Sequence, residues 1–492
     1  LAYGEPARLI NAYSPFRSRN FKMARAKPAP AKTHNQTQHW RALDAAHHIH
    51  PFTQVGALAK EGVRIITRAK GIYLWDSDGK KLMDGMSGLW CVQVGYGNKE
   101  LARAGCEVLN TLPYYNHFFK TTNPWTVELA AKLPTLLPQG HQHVLFANSG
   151  SEATDTALKL IRYFWNLKGQ AQKKIHLSRM LSYHGVTMAA ASLSGLTPMH
   201  PQWDLPLPGF AKVPVPYWYG AKAAGYGEVG EDEFGILVAR ETEKIILEIG
   251  PDRIASFSAE PVQGAGGLIV PPATYWPEMS RILKRHDILL HADEVITGFG
   301  RTGEWFGSFT YGLNPDIMTM AKGLSSGYQP ISAISLGARL GNVIASAKEE
   351  LVHGYTYSGH PVASAVALKN LEVLERDGLV TRVKDSIGPY FQRRVREIFA
   401  GHPLVGEVRG IGLLAAMELV EDKHERRPFP RERNVGTICR DHCFASGLVM
   451  RAIRDTMVLA PPLIITEGEV EKLLGKAKRC IDLTARDLGV TR

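Results

Sequence analysis

The chain has 492 residues, 45% hydrophobic and 21% charged, an ordinary globular balance that excludes wholesale disorder. Its net charge of +11 sits in residues 1 to 41, where eight Lys or Arg face the single acid Glu5, so the rest of the chain carries only +4. A near-balanced body excludes a phosphate-tracking surface and nucleic acid as partner, and no apolar run approaches the ~18 residues that span a bilayer.

Residues 1 to 33 read as a disordered basic leader without chemistry. The Arg-rich, acid-poor stretch Leu9 to Phe21 suits an organellar transit peptide. The Pro/Ala/Lys tract Lys27 to Lys32 and the internal Met23 favour translated upstream sequence instead. Five cysteines (Cys91, Cys106, Cys439, Cys443, Cys480) are sparse and lack metal spacing, which points to a reducing, cytoplasmic setting and no metal centre.

Residues 34 to 95 are expected to contribute to a small domain. After Trp40 an extended entry leads to the alternating run Ile65 to Asp76, a turn at Asp78-Gly79 and a strand at Lys81 to Met83. Residues 96 to 355 then alternate helix and strand, the grammar of a mostly parallel sheet covered by helices: an α/β large domain. Its expected strands are His143 to Ala147, Lys174 to Ser178, Ile254 to Ala259, Ile288 to Ala292, Ile317 to Ala321 and Ile331 to Leu336. Residues 356 to 492 form the rest of a smaller α+β domain built from both chain ends. Its expected parts are the amphipathic helices Pro361 to Arg376 and Leu379 to Phe399 and a strand Val408 to Glu418.

In open parallel sheets ligands sit beyond the carboxyl ends of strands, and the unusual residues lie there. Ser149-Gly150-Ser151-Glu152-Ala153 follows the first strand and opens a helix whose Ala157, Leu158, Ile161 and Trp165 share one face. Bare amides and the positive dipole end make that start a phosphate cup, although a plain N-cap reads the same. Tyr183-His184-Gly185 follows the second strand and offers a plane on which a flat ring can stack, although an aromatic there is more often core or rim. Asp293-Glu294-Val295 places acids after the apolar Ile288 to Leu290, where a carboxylate needs a cation such as a protonated pyridine nitrogen. Lys322 ends an apolar strand and precedes the small residues Gly323 to Gly327, so its amine is accessible and its pKa lowered by desolvation, as Schiff-base chemistry requires. Taken singly, a surface lysine is the commoner reading.

These four features occur in order, each after a strand, and together describe a phosphate cup, a stacking ring, a pyridinium partner and an imine lysine. The sequence resembles the class III aminotransferases of pyridoxal 5'-phosphate (PLP) fold type I from about Trp40 onward, most specifically in Asp293-Glu294-Val295 and Ala321-Lys322-Gly323. The resemblance implies that Lys322 binds PLP covalently and shuttles a proton, and that Asp293 keeps the pyridine protonated. It implies that Tyr183 and Val295 cover the two ring faces, that Gly150 and Ser151 hold the phosphate, and that His184 stands beside the cofactor. Thr356 would reach the phosphate from a neighbouring subunit, so the active unit would be a homodimer, with a pair of dimers, a tetramer, as the alternative. Glu260 would be a supporting acid behind the site.

Within the family, Ser87-Gly88-Leu89-Trp90-Cys91-Val92 and Leu448-Val449-Met450-Arg451-Ala452 resemble ω-transaminases that pair an amine with pyruvate. Trp90 would line the amine pocket and Arg451 would bind the carboxylate of pyruvate, although read without the family the first is core packing and the second a surface charge. Pro216-Tyr217-Trp218-Tyr219-Gly220 and His442-Cys443-Phe444 resemble members that use putrescine and other polyamines. The expected activity is ping-pong transfer of an amino group from such an amine to pyruvate, with a β-alanine or other ω-amino acid donor as the alternative. A nucleotide-binding reading of Gly264-Ala265-Gly266-Gly267 fails because apolar Leu268 to Val270 follows, not a helix.

Overall fold

The computed structural model describes residues 33–490; the leader reading lies, but for Thr33, outside the described residues. The chain divides at Ile65/Ile66 into two compact units. The first holds two helices, Thr33–His47 and Val55–Glu61. The extended entry expected after Trp40 is therefore corrected to helix. Among the side chains described in Thr33–His47 only Thr37 is buried, so no apolar stripe announces it. Gln54 caps the second helix through the Ala57 amide, and Gly62, at φ 78°, ends it. Arg41 Nε donates to the Val63 carbonyl at 2.9 Å and ties the chain beyond that helix back to the first.

The second unit begins with β1 (Ile66–Lys70), β2 (Tyr73–Asp76) and β3 (Lys81–Asp84). The run read as one strand, Ile65 to Asp76, breaks at Gly71, whose φ of 60° reverses the chain. The central sheet contains β4 (His143–Ala147), β5 (Ile175–Arg179), β6 (Phe210–Val213), β7 (Ile254–Ala259), β8 (Leu289–Asp293), β9 (Ile317–Met320) and β10 (Ser332–Leu336), in the order β4-β10-β9-β8-β7-β5-β6. β10 runs antiparallel to both β4 and β9, and the other neighbouring pairs are parallel. β6 escapes a reading by apolar runs because it is short and holds Lys212. That lysine's Nζ donates to Ser178 Oγ and the Ser192 and Leu193 carbonyls at 2.6–2.9 Å.

The helix Gly150–Leu167 buries Ala157, Leu158, Ile161 and Trp165 in and beside one apolar cluster, the face read from its spacing. Burial of Leu158 or Ile161 contributes roughly 1.5–3 kcal/mol each. The C-terminal region supplies β11 (Val405–Ile411), β12 (Leu414–Leu419), β13 (Leu448–Val449), β14 (Arg451–Ile453) and β15 (Thr456–Leu459). β13 joins β3 in parallel, so one sheet draws strands from residues 66–84 and 448–449; the others order as β11-β12-β15-β14. The strand expected over Val408 to Glu418 is a hairpin turning at Gly412, φ 54°, where a Cβ would lie 2.5 Å from the Arg301 carbonyl oxygen. The helix expected over Leu379 to Phe399 is interrupted by a π-helical turn, Val383–Ile387.

A polar row crosses the buried sheet. His176 accepts at Nε2 from Arg162 Nε (3.4 Å) and so donates from Nδ1 to Ser256 Oγ (2.9 Å). His291 bonds Ser258 Oγ at 3.0 Å and Thr319 Oγ1 at 3.1 Å. Burial is the main force pushing these imidazoles down, His176 to about 3 and His291 to about 4. Both stay neutral in the fold while the unfolded chain protonates near pH ~6.5. The stabilisation is therefore complete above pH ~6.5 and is lost as pH falls toward the folded values. Urea midpoints should correspond to a loss of about 2 kcal/mol per histidine between pH 7 and 5, and His291→Gln should flatten that slope by about half. An unchanged slope would refute the assignment.

Candidate active site

The carboxyl ends of β4, β5, β7, β8 and β9 open onto one cavity of about 340 Å³, inside the ~300–1,000 Å³ range of small-molecule sites. At β4 the helix Gly150–Leu167 begins with Ser149 Oγ accepting the Glu152 amide at 3.2 Å. Glu152 Oε2 reaches back to the Asn148 amide at 2.7 Å. The Gly150 and Ser151 amides, first in the helix, have no acceptor among the described residues. Ser151 Oγ accepts from the Val186 amide at 3.0 Å. Gly185 (φ 133°) passes so close that a Cβ there would lie 2.7 Å from that hydroxyl. A Cβ on Gly150 would crowd Val295 Cγ1 at 3.2 Å, so glycine keeps the cup open.

Tyr183 lines the cavity, and its amide donates to Glu260 Oε1 at 3.1 Å. Glu260 Oε2 accepts the Gly264 amide at 2.8 Å. The Gly264 to Gly267 run is a tight turn closed by Gln263 and Ile269, not a helix start. Burial pushes the Glu260 carboxyl up; His184 pulls it down, and neighbouring Asp293 pushes it up further.

Asp293 ends β8 at the cavity wall, where its Oδ1 accepts the Val295 amide at 3.1 Å and its Oδ2 faces His184 Nδ1 at 2.7 Å. A carboxylate only accepts, so Nδ1 carries the proton. Burial alone would raise the Asp293 pKa, but His184, His291 and the Val295 amide outweigh it and hold the carboxyl below its ordinary range. Buried His184 Nε2 has no partner among the described residues. Glu294, the second acid of the run, points away from the chemistry: it accepts from Thr297 Oγ1, the Gly307 amide and the Ser308 amide and hydroxyl at 2.5–2.9 Å.

Lys322 lines the same cavity with φ 41°, and its Nζ makes no hydrogen bond to another described residue. Burial lowers its pKa; Cys91, Asp293 and Glu260 oppose that, and Arg451 adds to it. Of the sequence-predicted residues, Gly150, Ser151, Tyr183, His184, Glu260, Asp293, Val295 and Lys322 meet here. Trp90 does not line the cavity; it is 1% exposed and packs behind it with Val262, Leu268 and Ile296. Its neighbour Cys91 supplies the wall instead. Arg451, on β14, is half-buried and acts through space on Tyr183 and Lys322. Thr356 is exposed outside the cavity, its carbonyl accepting from Tyr114 Oη at 2.8 Å.

Sequence reasoning missed Gln329, Pro330 and Ile331, which line the cavity just before β10. Because β10 is reversed, its amino end lies at the chemical edge. The runs Pro216 to Gly220 and His442 to Phe444 do not line the cavity: Trp218 Nε1 donates to the Val229 carbonyl at 2.8 Å, and His442 Nε2 to Asp487 Oδ2 at 2.7 Å.

PLP carries a phosphate, a basic ring nitrogen and an aldehyde, and the cavity has a free pair of helix-start amides, a low-pKa carboxylate and an unbonded lysine amine to meet them. The residues fit that cofactor, and with this sheet they define a PLP-dependent transferase of fold type I. The sequence model of the family Aminotransferase class-III matches residues 57–481, and the chain belongs to that family. It is 49% identical over 453 residues to the putrescine–pyruvate aminotransferase of Pseudomonas aeruginosa, covering 92% of this chain and 98% of the relative. It is 43% identical to the mitochondrial gamma-aminobutyrate transaminase 1 of Oryza sativa subsp. indica, over 83% of this chain and 79% of the relative. Its structure matches the omega transaminase from Pseudomonas jessenii in complex with PMP, with a TM-score of 0.89, 42% identity and coverage of 92% of this chain and 99% of the other.

Proposed function

We propose that this aminotransferase moves an amino group from a primary amine, putrescine or another polyamine, to pyruvate. The observation that carries the acceptor half is Arg451, half-buried near Tyr183 and without a carboxylate partner among the described residues. Its guanidinium fork suits the planar carboxylate of a keto acid. The donor half draws support from the likeness to the Pseudomonas aeruginosa enzyme.

Bound PLP supplies an aldehyde to receive the amino group and an electron-withdrawing ring that draws charge from the substrate carbon. The Gly150 and Ser151 amides hold its phosphate, with the helix dipole favouring the negative charge. Asp293, fixed by His184, keeps a negative charge beside the ring nitrogen and holds the proton there. The Lys322 amine would act as the base that takes the proton from the substrate's amine-bearing carbon and would hand it on to the carbon on the far side of the transferred nitrogen. Trp90, buried behind the cavity, backs the amine pocket through Ile296.

The active unit we propose is a homodimer, able to pair further into a tetramer, with Thr356 of one copy completing the other's phosphate cup. An exposed apolar belt supports it: Phe119 is 91% and Val352 86% exposed, and both line one groove. Among the described residues no helix is long and apolar enough to cross a membrane. The five cysteines are all free, which suits the cytoplasm as compartment.

The test is the visible absorbance of the PLP-loaded enzyme. Putrescine should bleach the band of the lysine-bound cofactor, and pyruvate should restore it as alanine accumulates in equal amount. If putrescine leaves the band unchanged while β-alanine or another ω-amino acid bleaches it, the polyamine assignment is wrong and the ω-amino acid one replaces it.

A further inference from the structure

A second cluster of ligating side chains lies in the unit that ends at Ile65, at the end of the helix Thr33–His47. Asp44 sits in its last turn. The His48 amide continues the helical pattern by donating to the Asp44 carbonyl at 2.9 Å, and His50 follows two residues on. The three side chains converge. Asp44 Oδ1 lies 3.0 Å from His48 Nδ1 and 2.9 Å from His50 Nε2, and that Nε2 is also 2.9 Å from Asp44 Oδ2. The two imidazoles stand 4.1 Å apart between centroids, tilted by 45°. The donor atoms all fall within 4.8 Å of one another.

We propose that Asp44, His48 and His50 bind a first-row divalent cation of the zinc or nickel class. Two imidazole nitrogens and one carboxylate suit these borderline ions and do not suit magnesium or calcium, which prefer oxygen alone. Metal bonds of ~2.0–2.1 Å place neighbouring tetrahedral ligands ~3.3 Å apart, so the contacts need to open by only a few tenths of an ångström. The Asp-x-x-x-His-x-His spacing delivers this without long-range folding, since the carboxylate and the first histidine are one helical turn apart. The unsatisfied carbonyls at a helix C-terminus add a field that favours a cation. Each imidazole must offer its lone pair where it now meets Asp44, which moves the ring proton to the other nitrogen. For His48, 61% exposed, that nitrogen can bond water. Water completes the coordination, and the ion pins the helix end to the segment leading to Val55–Glu61.

The experiment is calorimetric titration of the full-length, PLP-loaded enzyme, dialysed free of excess cofactor, with zinc chloride. We expect saturable uptake of one equivalent per chain at this site. His48→Ala, His50→Ala and Asp44→Asn should each weaken it by about tenfold or more, since loss of even an outer hydrogen-bond partner costs ~10–100-fold. His39→Ala, at an exposed histidine of the same helix outside the cluster, should change nothing. Cobalt(II) adds a readout independent of affinity: its visible ligand-field bands should shift in His48→Ala and His50→Ala and stay put in His39→Ala. All four positions are at or near the surface, and circular dichroism will show that the variants fold. Absence of saturable zinc uptake, or uptake and cobalt spectra unchanged in the Asp44/His48/His50 triple variant, would overturn the proposal.

Discussion

Lys322→Ala is expected to lower turnover by roughly ten-thousand-fold or more, because one substitution removes both the covalent anchor and the proton carrier. The fold should survive it. Lys322 Nζ makes no hydrogen bond among the described residues, so truncation leaves no buried partner stranded. Burial already disfavours its charged form, so the melting temperature of the cofactor-free variant should equal or exceed that of the cofactor-free parent. The variant should hold PLP without the visible band of the lysine-bound form. A small primary amine such as methylamine should restore part of the rate, since truncation leaves room where the lysine chain stood and the missing function is a neutral amine. A variant that keeps more than about a hundredth of parental turnover would show that another group carries the proton.

Asp293→Asn should cost about 10²–10³-fold in turnover, the usual consequence of deleting one electrostatic partner of developing charge. The amide has nearly the shape of the carboxylate and its oxygen can still accept from Val295 N–H or His184 Nδ1–H, so packing and cofactor retention should change far less than rate. Single-turnover kinetics beside a cofactor-release assay separate the two. The pH profile sharpens the test: Asp293 is held below the ordinary carboxylate range of ~3.9, so its charge is present at every pH above that and is lost only as pH falls through its lowered value. The parent's acidic limb above pH ~5 must then come from other groups, and the limb's position should be the same in Asp293→Asn. Loss of PLP in proportion to loss of rate would mean that Asp293 serves docking instead of chemistry.

Much of the site was legible because strand ends are local events. Four or five apolar residues followed by Ser-Gly-Ser, Tyr-His-Gly, Asp-Glu or Lys-Gly mark a buried strand and the functional group at its edge, and the edges of β4, β5, β8 and β9 fell within a residue or two of expectation. The misreadings have separate causes. Glycines at 71 and 412 turn chains that alternate smoothly on either side, and alternation cannot show where a strand folds back. Helix Thr33–His47 has too few apolar residues to show a stripe, and Lys212 hides β6.

The sequence alone determined the chemical inventory: a bare-amide turn, an aromatic, an acid and a lysine, each just after a strand, in the order of a PLP enzyme. Tertiary structure decided what those groups are worth. The reversal of β10 brought Gln329, Pro330 and Ile331 to the site, because strand direction depends on which neighbours a strand pairs with and not on its own residues. Pairing of β14 with β15 helped carry Arg451 to a residue 268 positions earlier, Tyr183. Packing also made the two adjacent acids different: β8 turned Asp293 toward His184 and the cavity, and the following turn gave Glu294 four internal hydrogen bonds. Neighbouring identical charges acquire different roles only when the fold gives them different partners.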